Sequence, residues 1–160
     1  VADGAFRDDL FAFVTLDTRE GAHPFTIASA WKSDGHVMFG TKALGDFTRD
    51  LPNRLKVGGP IVVEGPYGGF DYADASARQI WVAGGVGLTP FVARLEELAA
   101  RGGTDRPVDL FYSTRKADPE ILERLSDIAE AAGVTLHVTE TSSGGALTDA
   151  QLREVVNGSF

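Results

Sequence analysis

Residues 80–91, IWVAGGVGLTPF, constrain the fold of this chain more than any other stretch. An apolar run enters Gly84, Gly85 and Gly87, and Thr89 and Pro90 follow directly. This order predicts a buried strand, a tight turn and a helix start, because proline is well accommodated at the first helical position. The next residues repeat the grammar. PFVARLEELAARGG reads as a helix ended by glycines, and PVDLFYS as a second strand. Asp118-Pro119 then caps a helix with Ile121, Leu122, Leu125, Ile128 and Ala129 on one face, closed at Gly133. VTLHVTE supplies a third strand, and Thr148-x-x-Gln151 is a capping box opening a last helix. Strands alternating with helices in this way imply βαβ units and a parallel sheet.

The chain before Tyr72 is written differently. LFAFVTLD alternates, PFTIASAW is rich in strand formers, HVMFGTKAL alternates again, and PIVVEG is a short apolar run. Turn signals separate them at Glu20-Gly21, Ser33-Asp34-Gly35 and Gly58-Gly59-Pro60. Short strands at this spacing predict a small antiparallel sheet or barrel. One short helix is expected from Asp46 or Phe47 to about Leu51, stopped by Pro52. With Asp71–Ala77 as a small polar linker, the domains are expected at 1–72 and 73–160. Neither looks finished: the first leaves strand edges open, and the second stops after a helix where a strand should follow. The chain reads as an excerpt of a larger protein.

Composition removes several function classes. The 160 residues contain no cysteine, which excludes disulfides and thiolate metal sites within the chain. His23, His36 and His137 are scattered and form no metal-ligand pattern. A net charge of −8 argues against a nucleic-acid surface. Residues 1–70 carry 7 basic and 9 acidic side chains and residues 71–160 carry 8 and 14, so an anionic ligand needs local positive groups. No apolar run approaches the roughly 20 residues of a membrane-spanning helix. The start, with Asp3, Asp8 and Asp9, has no basic and apolar leader pattern.

Four places can carry chemistry. In a parallel α/β sheet, ligands bind beyond the C-terminal strand ends, which is where Gly84–Thr89 falls. Glycines there admit a close backbone approach, and the helix from Pro90 aims free N–H groups at the turn, an arrangement suited to a pyrophosphate. A ligand-free tight turn fits the same residues. The second strand ends FYSTRK, so Ser113, Thr114, Arg115 and Lys116 follow one another with no acid before Asp118. That favours the 2′-phosphate of NADPH over the bare ribose of NADH, although a solvated loop has the same composition. GDFTRDL repeats the theme: Gly45 frees the backbone, Asp46 and Phe47 open the helix, Thr48 offers a hydroxyl and Lys42 adds charge. A capped surface helix reads identically. In HPFTIAS, His23 can contact an anion, Pro24 fixes the chain, Phe25 offers a flat face and Thr26 a hydroxyl, or the segment is simply a barrel strand.

Taken in order, HPFTIAS, GDFTRDL, VEGPYGGF and VAGGVGLTPF resemble the ferredoxin–NADP⁺ reductase superfamily from about Leu10 onward. The resemblance is greatest to its ferric reductase and NADPH oxidase branch, whose flavin motif has His-Pro-Phe where other branches have Arg-x-Tyr. It implies an antiparallel FAD-binding β-barrel, incomplete here, followed by an incomplete α/β parallel-sheet domain for the nicotinamide nucleotide. By the resemblance, Phe25 stacks on the isoalloxazine and Thr26, as the catalytic residue, hydrogen-bonds near flavin N5. His23 with Pro24, and Gly45, Asp46, Phe47 and Thr48 with Lys42, hold the FAD pyrophosphate. Gly84, Gly85, Gly87, Thr89 and Pro90 meet the nucleotide, with Ser113 and Arg115 at the 2′-phosphate.

The implied activity is hydride transfer from NADPH to FAD, then single electrons to a haem or ferric acceptor. In the resembled branch the acceptor is haem in an attached transmembrane domain, with the reductase on the cytoplasmic side. This region alone is expected to be soluble. The first barrel strands and the last strands of the nucleotide domain are missing from the match. A Cys-Gly-Pro motif is also missing, and Phe160 comes too early to be the terminal aromatic that covers the flavin. Two other readings remain: a non-catalytic binding module of the same fold, and a soluble reductase feeding an iron–sulfur partner. His23 in place of Arg counts against the latter.

Overall fold

Alternating burial builds the first element. In β1 (Phe11–Thr15), Ala12 and Val14 are buried while Phe11, Phe13 and Thr15 are half exposed. The computed structural model describes residues 11–69, 72 and 78–157, so the expected linker 71–77, Tyr72 apart, and Phe160 lie outside the described residues. β1 is the centre of an antiparallel sheet of order β2-β1-β3, with β2 at His23–Thr26 and β3 at Val62–Tyr67. The turn signals act as expected: Gly21, Ser33, Gly35 and Gly58 all have positive φ.

Helix α1 (Asp46–Arg54) continues through Pro52 instead of stopping there. The Leu55 N–H donates to Leu51 O at 3.0 Å and closes another turn, so the proline costs its own bond without ending the helix. HVMFGTKAL does not form a strand. It makes one bridge, Ile27 to Phe39, because the Met38 N–H is taken by Ser29 Oγ at 3.0 Å and cannot join a ladder.

The second sheet is parallel, of order β4-β5-β6, with β4 at Gln79–Gly84, β5 at Val108–Thr114 and β6 at Thr135–Glu140. β5, the middle strand, is the core: Leu110 is fully buried, and Val108, Phe111 and Tyr112 nearly so. β4 is an edge strand among the described residues. Its Ile80 and Val82 are exposed, which corrects the expectation of a buried strand.

The glycine turn is a 3₁₀ turn, Gly85–Leu88, and α2 (Thr89–Ala100) begins at Thr89, one residue before the expected Pro90. Asp118 caps α3 (Pro119–Ala132) by accepting from the Glu120 N–H at 3.0 Å, and Gly133 ends it in the left-handed region. Within α3 the buried face is Leu125, Ala129 and Ala132; Ile121, expected there, is exposed because it sits in the first turn. The capping box of α4 (Asp149–Asn157) forms: the Thr148 N–H donates to Gln151 Oε1 at 2.9 Å, and the Gln151 N–H to Thr148 Oγ1 at 3.3 Å.

Packing divides the chain into two compact units. The first takes Val1–Ala75 with Thr89–Glu97, and the second Ser76–Leu88 with Leu98–Phe160. The start of α2 therefore belongs to the first unit. There the Ala30 N–H donates to Glu96 Oε2 at 3.2 Å, and Tyr72 packs its ring on Phe91.

Candidate functional site

In the first unit, the register pairs Val14 with His23 and Ala12 with Phe25. His23 and Phe25 therefore share the face of the buried Ala12 and Val14, whereas Pro24 and Thr26 lie on the opposite face with Phe11 and Phe13. Phe25 approaches the rings of Phe39 and Phe47, each at 6.3 Å between centroids. The Thr26 hydroxyl has no hydrogen bond among the described residues.

His23 is the most telling side chain here. Its ring stacks on Phe47 with centroids 3.6 Å apart, and its Nε2 is sealed from solvent with no hydrogen-bond partner among the described residues. A buried polar atom without a partner is costly, so such an atom calls for a ligand or an exchange of partners.

The α1 start lies beside it in sequence order and is locally well made. Thr48 Oγ1 accepts from the Leu44 N–H at 3.0 Å and the Gly45 N–H at 3.1 Å, and donates to Gly45 O at 3.1 Å. Space around Gly45 is open, with nothing within 4 Å of a Cβ placed there. Lys42 is exposed, and Asp46 pairs with Arg49 at 3.2 Å on the surface. The residues expected to form one flavin cradle are thus brought together in part: His23, Phe25 and Phe47 touch, and Thr48 organises the turn before Phe47.

In the second unit, parallel pairing sets Gly84 beside Ser113 and Ser113 beside Thr139, at the C-terminal strand ends. A Cβ at Gly84 or Gly87 meets nothing within 4 Å, and Gly85 has φ +53, so the turn presents bare backbone. The loop after β5 is tethered rather than loose. The Ala117 N–H donates to Glu140 Oε1 at 2.9 Å, and the Ser142 N–H to Arg115 O at 2.8 Å. Arg115 and Lys116 project from it exposed, and the Asp118 carboxylate is occupied by its helix cap. Thr89 differs from the expectation of an open contact. It is buried, and a Cβ at Gly40 would come within 2.8 Å of its Oγ1, so its side chain packs within the first unit.

Two features escaped the reading of local pattern. Asp109, near the start of the most buried strand, accepts from Arg78 Nε at 3.0 Å and Nη2 at 2.6 Å, and pairs with His137 Nε2 at 2.8 Å. A charged residue in PVDLFYS was the available signal, since a buried carboxylate needs partners. The other is Arg54, discussed below, which no spacing in the sequence connects to His23. A cleft of about 330 Å³ under α4, lined by His137, Thr139, Leu147, Gln151 and Glu154 among others, holds none of the expected site residues. Among the described residues there is no cluster of metal-ligating side chains, and no helix long and apolar enough to cross a membrane.

No family model matches the chain. It is 34% identical over 119 residues to ferric reduction oxidase 8, mitochondrial, of Arabidopsis thaliana, a match covering 66% of this chain and 16% of that protein. Among solved structures, the FAD/NAD-binding domain of nitric oxide dioxygenase from Vibrio cholerae superposes with a TM-score of 0.70 at 20% identity, covering 87% of this chain and 64% of that one. Ferredoxin–NADP⁺ reductase from Plasmodium falciparum, as its H286L mutant, gives 0.65 at 14% identity, covering 96% and 66%. The chain thus spans about a sixth of the curated relative and two thirds of the solved domains. The antiparallel sheet followed by a parallel α/β sheet agrees with the expectation, and the fold as a whole superposes on these structures. The chain thus has the fold of the FAD- and NAD-binding regions of the ferredoxin–NADP⁺ reductase superfamily and is similar in sequence to a ferric reduction oxidase.

Proposed function

We propose that this chain is the reductase region of a larger flavoprotein, with residues 1–72 serving FAD and 73–160 serving NADPH. The observation that carries the reading is the partnerless, sealed Nε2 of His23 on the strand that also bears Phe25 and Thr26. It fits a flavin nucleotide because the ring nitrogen needs an acceptor or donor that the described protein does not provide, and phosphate oxygens are strong acceptors.

The chemistry that FAD supplies when bound is hydride acceptance from NADPH and release of electrons singly. The protein's own task is binding and orientation, which such a transfer rewards more than a general acid does. His23 donates to a phosphate oxygen, and the first N–H groups of α1 itself, in a turn that Thr48 organises, add to it with Lys42 nearby in sequence. Asp46 stays on the surface, paired with Arg49, and Pro24 stiffens the strand. Phe25 offers a flat apolar face and Thr26 a hydroxyl toward N5. Gly84, Gly85 and Gly87 admit the nicotinamide nucleotide to the backbone, and Thr89 with Pro90 starts the helix behind it. Ser113 and Arg115 receive the 2′-phosphate, Arg115 by a charge-assisted bond.

The onward acceptor is proposed to be haem or ferric iron in an attached membrane domain, with this region on the cytoplasmic side. Similarity to a ferric reduction oxidase supports the ferric acceptor. The deciding experiment adds FAD and then NADPH anaerobically to the intact protein and follows flavin bleaching. Full bleaching is expected. No FAD binding sinks the proposal, and FAD binding without bleaching leaves a non-catalytic module in its place.

A further inference from the structure

Arg54, in the last turn of α1, is tied to two groups at once. Its Nη2 lies 2.5 Å from Glu20 Oε2, and its Cζ stands 5.0 Å over the centre of the Phe47 ring. Phe47 and Arg54 are seven positions apart, two helical turns, and so share a face of α1. An arginine there leans back toward the helix N-terminus, the direction in which Phe47 lies. Phe47 in turn stacks on His23 with 20° between the ring planes. The series Glu20–Arg54–Phe47–His23 therefore joins both ends of α1 to the start of β2. It ends on the side chain whose Nε2 is partnerless.

The Arg54 side chain is only 22% exposed, so this is not a solvated surface pair. Its charge is matched by Glu20, so it contributes little net field; what remains is the rigid placement of a flat cation over a ring. A ring held face-on can turn only in its own plane, which limits the directions available to Nε2.

We infer that Arg54 is a positioning residue: with Glu20 it holds Phe47 against His23 and thereby fixes the imidazole for a phosphate oxygen, giving FAD its advantage over riboflavin. The inference rests on the FAD site proposed above. Lysine cannot pair with Glu20 and lie flat over Phe47 together, so Arg54→Lys restores only part of the effect.

Two measurements on the intact protein test this. The first is the ligand-free histidine ring-proton spectrum, with His23 identified by the signal lost in His23→Asn. In Arg54→Leu the His23 protons are expected to lose the shift imposed by Phe47. His137, stacked on Phe111 at 4.4 Å, stays in place as an internal control. The second is titration with FAD and with riboflavin. Arg54→Leu is expected to weaken FAD binding about tenfold and riboflavin binding less than about twofold, with Arg54→Lys between. An unmoved His23 signal, or an equal loss for both flavins, overturns the inference. Should Arg54→Leu not fold, Glu20→Gln removes one end of the series and carries the same readouts with a smaller effect. Wild-type protein that binds no FAD sinks the proposed function and this inference together; wild-type binding with unaltered Arg54→Leu sinks the inference alone.

Discussion

In the first unit, the side chains expected to meet a ligand already hold one another: His23 lies on Phe47, Phe47 under Arg54, and Thr48 accepts two N–H groups of its own turn. In the second, Gly84 and Gly87 have nothing near them, and Arg115 and Lys116 stand exposed at the end of β5. A site whose groups are preset loses less entropy on binding, whereas an open one gives up affinity for ease of exchange. The difference suits a resident flavin in the first unit and a visiting nicotinamide nucleotide in the second. Their supports differ in the reverse sense. β3 of the first sheet is almost wholly exposed, while β5 of the second is almost wholly buried.

The largest expected effect tests that reversal. Leu110→Ala empties the centre of β5, and should cost about 2–5 kcal/mol in a denaturant titration. A loss below about 1 kcal/mol would mean that the open turn is not mounted on a rigid sheet. Arg115→Ala comes next: the KM for NADPH should rise about tenfold, worth about 1.4 kcal/mol, with NADH unaffected. Equal effects on both nucleotides would take Arg115 away from the 2′-phosphate. Thr48→Ala should destabilise α1 by about 1 kcal/mol and weaken FAD binding, because it frees the Leu44 and Gly45 N–H groups. FAD affinity unchanged in that variant would break the claim of a preset first site.

The smallest effect concerns Tyr67 on exposed β3. Its hydroxyl donates to Glu64 Oε1 at 2.5 Å, and that bond, with the carboxylate's charge, raises the phenol above its ordinary pKa of 10.0. Since the folded value is raised, the contribution is present below the ordinary phenol range and lost as pH climbs through the folded value. Glu64→Gln should bring the Tyr67 absorbance titration down in pH; no movement would show that the pair does not form in solution.

Much of the architecture was legible because its signals are local. The alternation of FAFVT, the buried run of VDLFYS, the Asp118-Pro119 start and the Thr148–Gln151 box each act within a few residues, and each formed. Misreadings arose where one particular hydrogen bond, or a strand's place in its sheet, overrode the local pattern. HVMFGTKAL has strand periodicity, yet Ser29 Oγ occupies the N–H that a ladder needs. Pro52 ought to end a helix, yet Leu55 closes onto Leu51 beyond it. Ile80 and Val82 are apolar like core residues, yet β4 is an edge strand among the described residues.

The site divides in the same way. Residue types and their order, His-Pro-Phe-Thr before Gly-Asp-Phe-Thr before Ala-Gly-Gly-Val-Gly, were enough to point to the fold, because glycine turns and helix starts are short-range devices. Thr89 shows the limit of that reading: by spacing it belongs to the glycine turn, and by packing it is buried against Gly40.

By itself, then, the sequence determined the succession of an antiparallel sheet and a parallel one, and the chemical kinds of group at their loops. Only the tertiary structure decided that Asp109 answers Arg78 and His137, and that Arg54 and Glu20 reach His23 through Phe47. Backbone periodicity and capping are fixed by neighbours along the chain. The meeting of side chains tens of residues apart is fixed by strand register and packing, which local sequence does not encode.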